Sequence, residues 1–328
     1  MHPKFIARFT RYLRLCQGLS RILPPALSLP LCAWLSRLDI LPRPGNEDWG
    51  AALEKLPHLS DKVFKEHLSF VGVMEGAAFY FRDFEKMLPG VKFAPNLAGL
   101  PNLAGGVLIL TYHHHFNVLL CAFLGRLLNR RVNVLAMDPD LSPLAKPLAW
   151  YKDVMYGDSE TQLSGGRYVL VHPGSGNAVG QGLRDMVRRD SALISVHDFG
   201  HPFANESVMS LNVLGRKLLA PVGAIAFAVS RKIPVFVTWL EWDGGARFII
   251  KGTALDTNSE ESVLKGYFAS LETMVAENPA QWEGWPRAAP PAPCPEHPRC
   301  LDEHVHLLRG DVLRWLCPPC LMLALRCV

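Results

Sequence analysis

GVLILTYHHHFNVLL, residues 106–120, is an unbroken apolar run, then three adjacent histidines, then a second apolar stretch. A short run with no polar interruption suits a central strand covered on both faces. The segment 116–130 behind it has the length and composition of a helix. Related runs recur at VNVLAM (132–137), RYVLVH (167–172) and SALISVH (191–197), and further helix-length stretches fall at 179–189 and 221–232. This alternation predicts an α/β fold with a mixed, mostly parallel central sheet flanked by helices. PVFVTWLEWDGGARFIIKG (234–252) reads instead as a hairpin turning at Asp243-Gly244-Gly245. An amphipathic helix fits 259–277.

With 328 residues, 49% hydrophobic and 20% charged, the chain is neither a disordered tail nor a polytopic membrane protein. Its net charge of +4 is mild, and no nucleic-acid partner is expected. The placement of charge is more telling. Residues 1–38 hold no Asp or Glu, while Lys4, Arg8, Arg11, Arg14, Arg21 and Arg37 are basic. Phe5, Ile6, Phe9, Tyr12, Leu13, Cys16, Leu19, Ile22 and Leu23 recur between them at helical spacing. A basic amphipathic helix of this kind suits an anionic membrane surface; docking on the protein's own surface is the competing expectation. ILPPALSLPLCAWLS (22–36) is interrupted by three prolines and too short to span a bilayer, so it is expected to lie on one.

The organisation that follows is a basic membrane-associating segment (1–44), a main domain (45–288) and a Pro- and Cys-rich tail (289–328). Within the main domain, residues 47–90 read as helical, with Trp49, Leu53, Leu56, Val63, Phe64, Phe70 and Val71 at helical spacing. Cys16, Cys32 and Cys121 sit in apolar context and read as buried thiols, consistent with a reducing compartment. Cys294, Cys300, Cys317 and Cys320, with His304 and His306, would be needed for a zinc site in the tail.

Adjacent residues on an extended chain point to opposite faces, so three consecutive histidines cannot converge on one ion. No metal is therefore expected at the triplet, and no cofactor is expected. Ligands of open α/β sheets bind beyond the carboxyl ends of the strands. A neutral imidazole there can take a proton from a hydroxyl at neutral pH.

Three ordered stretches carry a family resemblance: GVLILTYHHHFNVLL, GQGLRDMVRRDSALISVHDFGHPF (180–203) and LNVLGRKLLAPVGAIAFAVSRKIPVFV (211–237), with NPAQWEGW (278–285) closing the similar region. Together they resemble the bacterial lipid A late acyltransferases (lauroyl or myristoyl acyltransferases), relatives of the lysophospholipid and glycerol-phosphate acyltransferases. The resemblance implies a glycerol-phosphate acyltransferase-like fold at the cytoplasmic face of the bacterial inner membrane. The implied donor is an acyl thioester of acyl carrier protein or coenzyme A, and the acceptor a hydroxyl of a membrane lipid or lipid A precursor.

Residue by residue, the resemblance implies that His114-His115-Phe116 matches the family's A-H-F, which makes His115 the catalytic base. Arg184 matches an arginine on the helix before the next strand, and His197-Asp198-Phe199-Gly200 matches an H-D-Y-G turn. Gly215 and Pro221-Val222-Gly223 match later loop motifs. His114, Asn117, Arg184, Gly215 and Arg216 are the implied substrate-binding residues. One position departs. The family's H-x-x-x-x-D/E places a carboxylate five residues after the base, and this chain has Leu120 there. Starting from His113 or His114 meets Val118 or Leu119. Asp198, with Asn117 as a weaker substitute, is expected to orient the base instead. The competing reading is a relative that binds lipid or acyl carrier and has lost the chemistry.

Overall fold

A computed structural model describes residues 3–38, 60–128, 130–137, 148–156, 163–171, 176–188, 191–198, 208–214 and 216–284. The proline- and cysteine-rich tail, and Trp49, Leu53 and Leu56, lie outside these residues.

β2 (Val107–Thr111) is buried at all five positions, as its continuous apolar sequence requires. It is flanked by β5 (Ala192–Val196) and β8 (Val235–Trp242), both parallel to it. Adding β3 (Val132–Met137), β4 (Tyr168–Val171), β9 (Phe248–Ala254) and a short β1 (Val91–Phe93) gives a seven-stranded sheet in the order β1-β9-β8-β2-β5-β3-β4. Only the β8–β9 pairing is antiparallel. The protein is thus α/β, with a mostly parallel mixed sheet flanked by helices. The β8–β9 connection turns where expected: Gly244 and Gly245 have φ of 84° and 59°, values that a side chain would strain.

The crossovers are α4 (Asn117–Leu127) after β2 and α6 (Gly176–Arg188) before β5. α7 (Gly223–Ser230) leads into β8, and α8 (Glu260–Glu277) follows β9. Ser259 caps α8 by accepting the Ser262 N–H at 3.0 Å. Three elements were not expected from the sequence. They are β1, helix α5 (Ala149–Tyr156), and a separate antiparallel hairpin of β6 (Val208–Val213) and β7 (Arg216–Pro221).

The amino-terminal segment forms α1 (Pro3–Ile22) and α2 (Pro25–Arg37), which pack on α3 (Asp61–Ala78). α2 continues through Pro30, so the prolines bend the sequence expectation more than the helix. Gly72 and Gly76 let α3 approach closely: a Cβ at Gly72 would lie 2.4 Å from Ser36 Oγ. The apolar stripe of α1 divides. Phe9, Tyr12, Leu13 and Cys16 are buried within the protein, while Leu15 and Ile22, together with Leu27 and Trp34 of α2, are exposed. Arg8, Arg11, Arg14 and Arg21 are also exposed. Among the described residues no helix is long and apolar enough to cross a membrane.

Candidate active site

The histidines lie just past the carboxyl end of β2, and His197-Asp198 lie just past that of β5. These strands are parallel neighbours in a fixed register, with Val107 opposite Ala192 and Thr111 opposite Val196. Carried two residues further, that register sets His113 opposite Asp198. The side chains follow. Asp198 Oδ1 accepts from His113 Nδ1 at 2.6 Å, and Oδ2 accepts from the His113 backbone N–H at 2.9 Å. Oδ2 also accepts from the Trp282 indole N–H at 2.9 Å.

Asp198 is fully buried, whereas the His113 side chain is 37% exposed. A carboxylate only accepts, so His113 carries its proton on Nδ1 and its lone pair on Nε2. Burial pushes the Asp198 carboxyl up. The adjoining His113 ring, the indole and the backbone N–H outweigh it and hold the group below its ordinary range.

The acid that the sequence assigns to His115 therefore serves its neighbour, because strand register sets the pairing. His115 has other partners. Its Nδ1 donates to Glu283 Oε1 at 2.9 Å, and its Nε2 lies 2.8 Å from His67 Nδ1 on α3 and 3.2 Å from the Ala280 carbonyl. Both ring nitrogens are engaged, and the side chain is 2% exposed. Dehydration pushes Glu283 up, but the His115 hydrogen bond and the imidazoles of His115, His113 and His114 hold it below its ordinary value.

His114, expected among the substrate-binding residues, is buried and structural. Its Nδ1 accepts the Phe116 N–H at 3.2 Å and its Nε2 reaches Thr111 Oγ1 at 3.3 Å. Burial, with His115 and His113 nearby, lowers its pKa to about 3 against the pull of Glu283 and Asp198. His197 donates from Nδ1 to the Pro221 carbonyl at 2.6 Å, and burial lowers it to about 4. Beneath the loop, Tyr267 donates to the Thr111 carbonyl at 2.8 Å and Tyr112 to the Tyr267 carbonyl at 2.9 Å.

The other expected residues are dispersed. Arg184 is exposed on α6 and donates to Gln181 of the same helix at 3.1 Å. Asn117 opens α4, its Oδ1 buried without a hydrogen-bond partner. Gly215 and the Arg216 side chain lie outside the described residues. Leu120 is fully buried in the apolar core.

No protein-family model matches this chain, and no curated protein sequence matches it. Glu283, His67 and Trp282 join the site unannounced by the sequence. Two of them sit in NPAQWEGW, a stretch the resemblance covers without assigning it a role. Among the described residues, no three His, Cys, Asp or Glu side chains are grouped to hold a metal.

The two depressed histidines predict acid instability. The unfolded chain protonates them near 6.5, the folded protein only near 3 and 4. The unfolded state thus binds more protons as pH falls below 6.5, and stability drops through that window. At about 1.4 kcal/mol per unit, the unfolding free energy is expected to fall by about 3–6 kcal/mol between pH 7 and pH 4. Asp198, depressed in the fold, adds to the loss at the lowest pH. Urea titrations across this range test it, and His114→Asn should remove about half of the slope. An unchanged slope would assign the acid sensitivity elsewhere.

Proposed function

We propose that this chain is a membrane-peripheral acyltransferase. It moves a fatty acyl group from a thioester of acyl carrier protein or coenzyme A to a hydroxyl of a membrane lipid or lipid A precursor. The observation that carries the reading is a partly exposed imidazole, His113, held through Nδ1 by a fully buried carboxylate, Asp198, at 2.6 Å. That is the arrangement of a general base and its orienting acid.

In the proposed reaction His113 Nε2 takes the proton of the acceptor hydroxyl as its oxygen attacks the thioester carbonyl. The tetrahedral intermediate collapses with cleavage of the carbon–sulfur bond. The departing thiolate takes the proton back from the imidazolium, which Asp198 stabilises meanwhile. No metal or cofactor enters this scheme. His113 replaces His115 as the base because His115 has both ring nitrogens occupied below the surface.

The exposed Leu15, Ile22, Leu27 and Trp34, interspersed with exposed arginines, support a seat on an anionic membrane face, which we take to be the cytoplasmic face of the bacterial inner membrane. A second reading, a lipid- or carrier-binding relative without turnover, is favoured by Leu120 alone.

Incubating the purified chain with labelled acyl-carrier-protein and acyl-coenzyme A thioesters and extracted membrane lipids separates the two. Label appearing in lipid is the expected result. Label staying on both donors, with lipid still retained by the protein, would establish the binding reading.

A further inference from the structure

We infer that residues 279–284 form a strap that completes the histidine loop, and that Glu283 supplies across space the carboxylate that position 120 lacks. This makes Glu283 and His115 positioning residues behind His113, a role that rests on the acyl-transfer reading for its kinetic consequence only.

The strap grips the loop by backbone and side chain together. The Glu283 N–H donates to the His113 carbonyl at 2.9 Å, and the His115 N–H to the Gln281 carbonyl at 3.4 Å. His114 and Trp282 thereby form an isolated antiparallel bridge. The Trp282 indole reaches Asp198, Glu283 reaches His115, and the Gln281 amide donates to the Leu240 carbonyl of β8. One short segment thus contacts both carboxylate–imidazole pairs.

A carboxylate at position 120 would face the core. Leu120 is fully buried among Phe116, Phe123 and their apolar neighbours. An ionised group left there without partners would carry a large desolvation penalty. Glu283 reaches the same loop from a half-exposed position, at 46% exposure, with the His115 ring as its partner.

What the Glu283–His115 contact fixes is the place of a proton. Because Glu283 only accepts, His115 holds a proton on Nδ1, while its Nε2 lies 2.8 Å from His67 Nδ1 and 3.2 Å from the Ala280 carbonyl. The contacts Glu283–His115–His67 tie the loop to α3.

Long-range ¹H–¹⁵N correlation spectra of the histidine rings in the full chain test this without any substrate. The His115 signals are assigned by their loss in His115→Asn. The expected result is the Nδ1–H form of His115 in the wild type, a shift towards Nε2–H in Glu283→Ala, and recovery in Glu283→Gln, whose amide oxygen still accepts. An Nε2–H form of His115 in the wild type would overturn the inference before any variant is made. An unchanged tautomer in Glu283→Ala would overturn it equally. In the transfer assay Glu283→Ala should lower kcat by about 10–100-fold with KM within about twofold, as expected when a base is mispositioned. Tautomers as expected with no wild-type turnover would uphold the strap and sink the acyltransferase reading.

Discussion

Asp198→Asn is expected to lower kcat for acyl transfer by about four orders of magnitude, and His113→Ala by at least as much. Asp198 holds His113 Nδ1 at 2.6 Å from inside the protein, where no water can substitute for it. The amide of Asn carries no charge to stabilise the imidazolium. It can also turn its NH₂ towards Nδ1, which would place the ring proton on Nε2, the position that must accept. Fold should survive, since Asn preserves the shape of Asp and can still accept from the Trp282 indole and the His113 backbone. His115→Ala, by contrast, should cost about 10–100-fold, because it removes support and not the base. Steady-state kinetics with one thioester donor decide the order. If His115→Ala abolishes turnover while Asp198→Asn stays within tenfold of wild type, the base is His115 and the assignment of His113 fails.

Trp282→Ala is expected to destabilise the protein by about 3–5 kcal/mol. Among the described residues Trp282 is the largest fully buried side chain, and it packs in the apolar cluster that includes Tyr112, Trp239 and Tyr267. Its removal leaves a cavity beneath the histidine loop and deprives Asp198 of a donor in one step. Trp282→Phe separates these effects. It retains most of the packing and leaves Asp198 Oδ2 with the His113 backbone N–H alone, which should cost about 1–3 kcal/mol. With the indole gone, the Asp198 carboxyl should titrate at higher pH than in the wild type. Urea unfolding followed by circular dichroism measures both variants. A loss below about 1 kcal/mol in Trp282→Ala would mean that the strap is not anchored through this residue.

Much of the fold is legible in the residues. The strands β2, β3, β4, β5, β8 and β9 announce themselves as short apolar runs, and Asp243-Gly244-Gly245 marks the hairpin turn because glycine alone adopts its positive φ without strain. β1 escapes notice since three residues carry no periodicity. The β6–β7 hairpin is obscured by Arg216 and Lys217, which open β7. The basic amphipathic character of α1 is plain, but spacing does not tell whether Leu13 and Cys16 face lipid or α3's side of the protein; packing buries them.

At the site, the sequence by itself determined that imidazoles stand at the carboxyl end of a buried strand and that position 120 holds no acid. Which histidine faces outward, and which carboxylate holds it, only the tertiary structure decided. Asp198 meets His113 because β2 and β5 pair in parallel at one register, and a shift of two residues would have delivered it to His115. Glu283 meets His115 across 168 residues because the chain folds back under the loop after α8. Local sequence fixes the kind of chemistry available at a strand end. Register and chain return are long-range pairings, set by the burial of whole strands and helices, and they choose which atoms perform it.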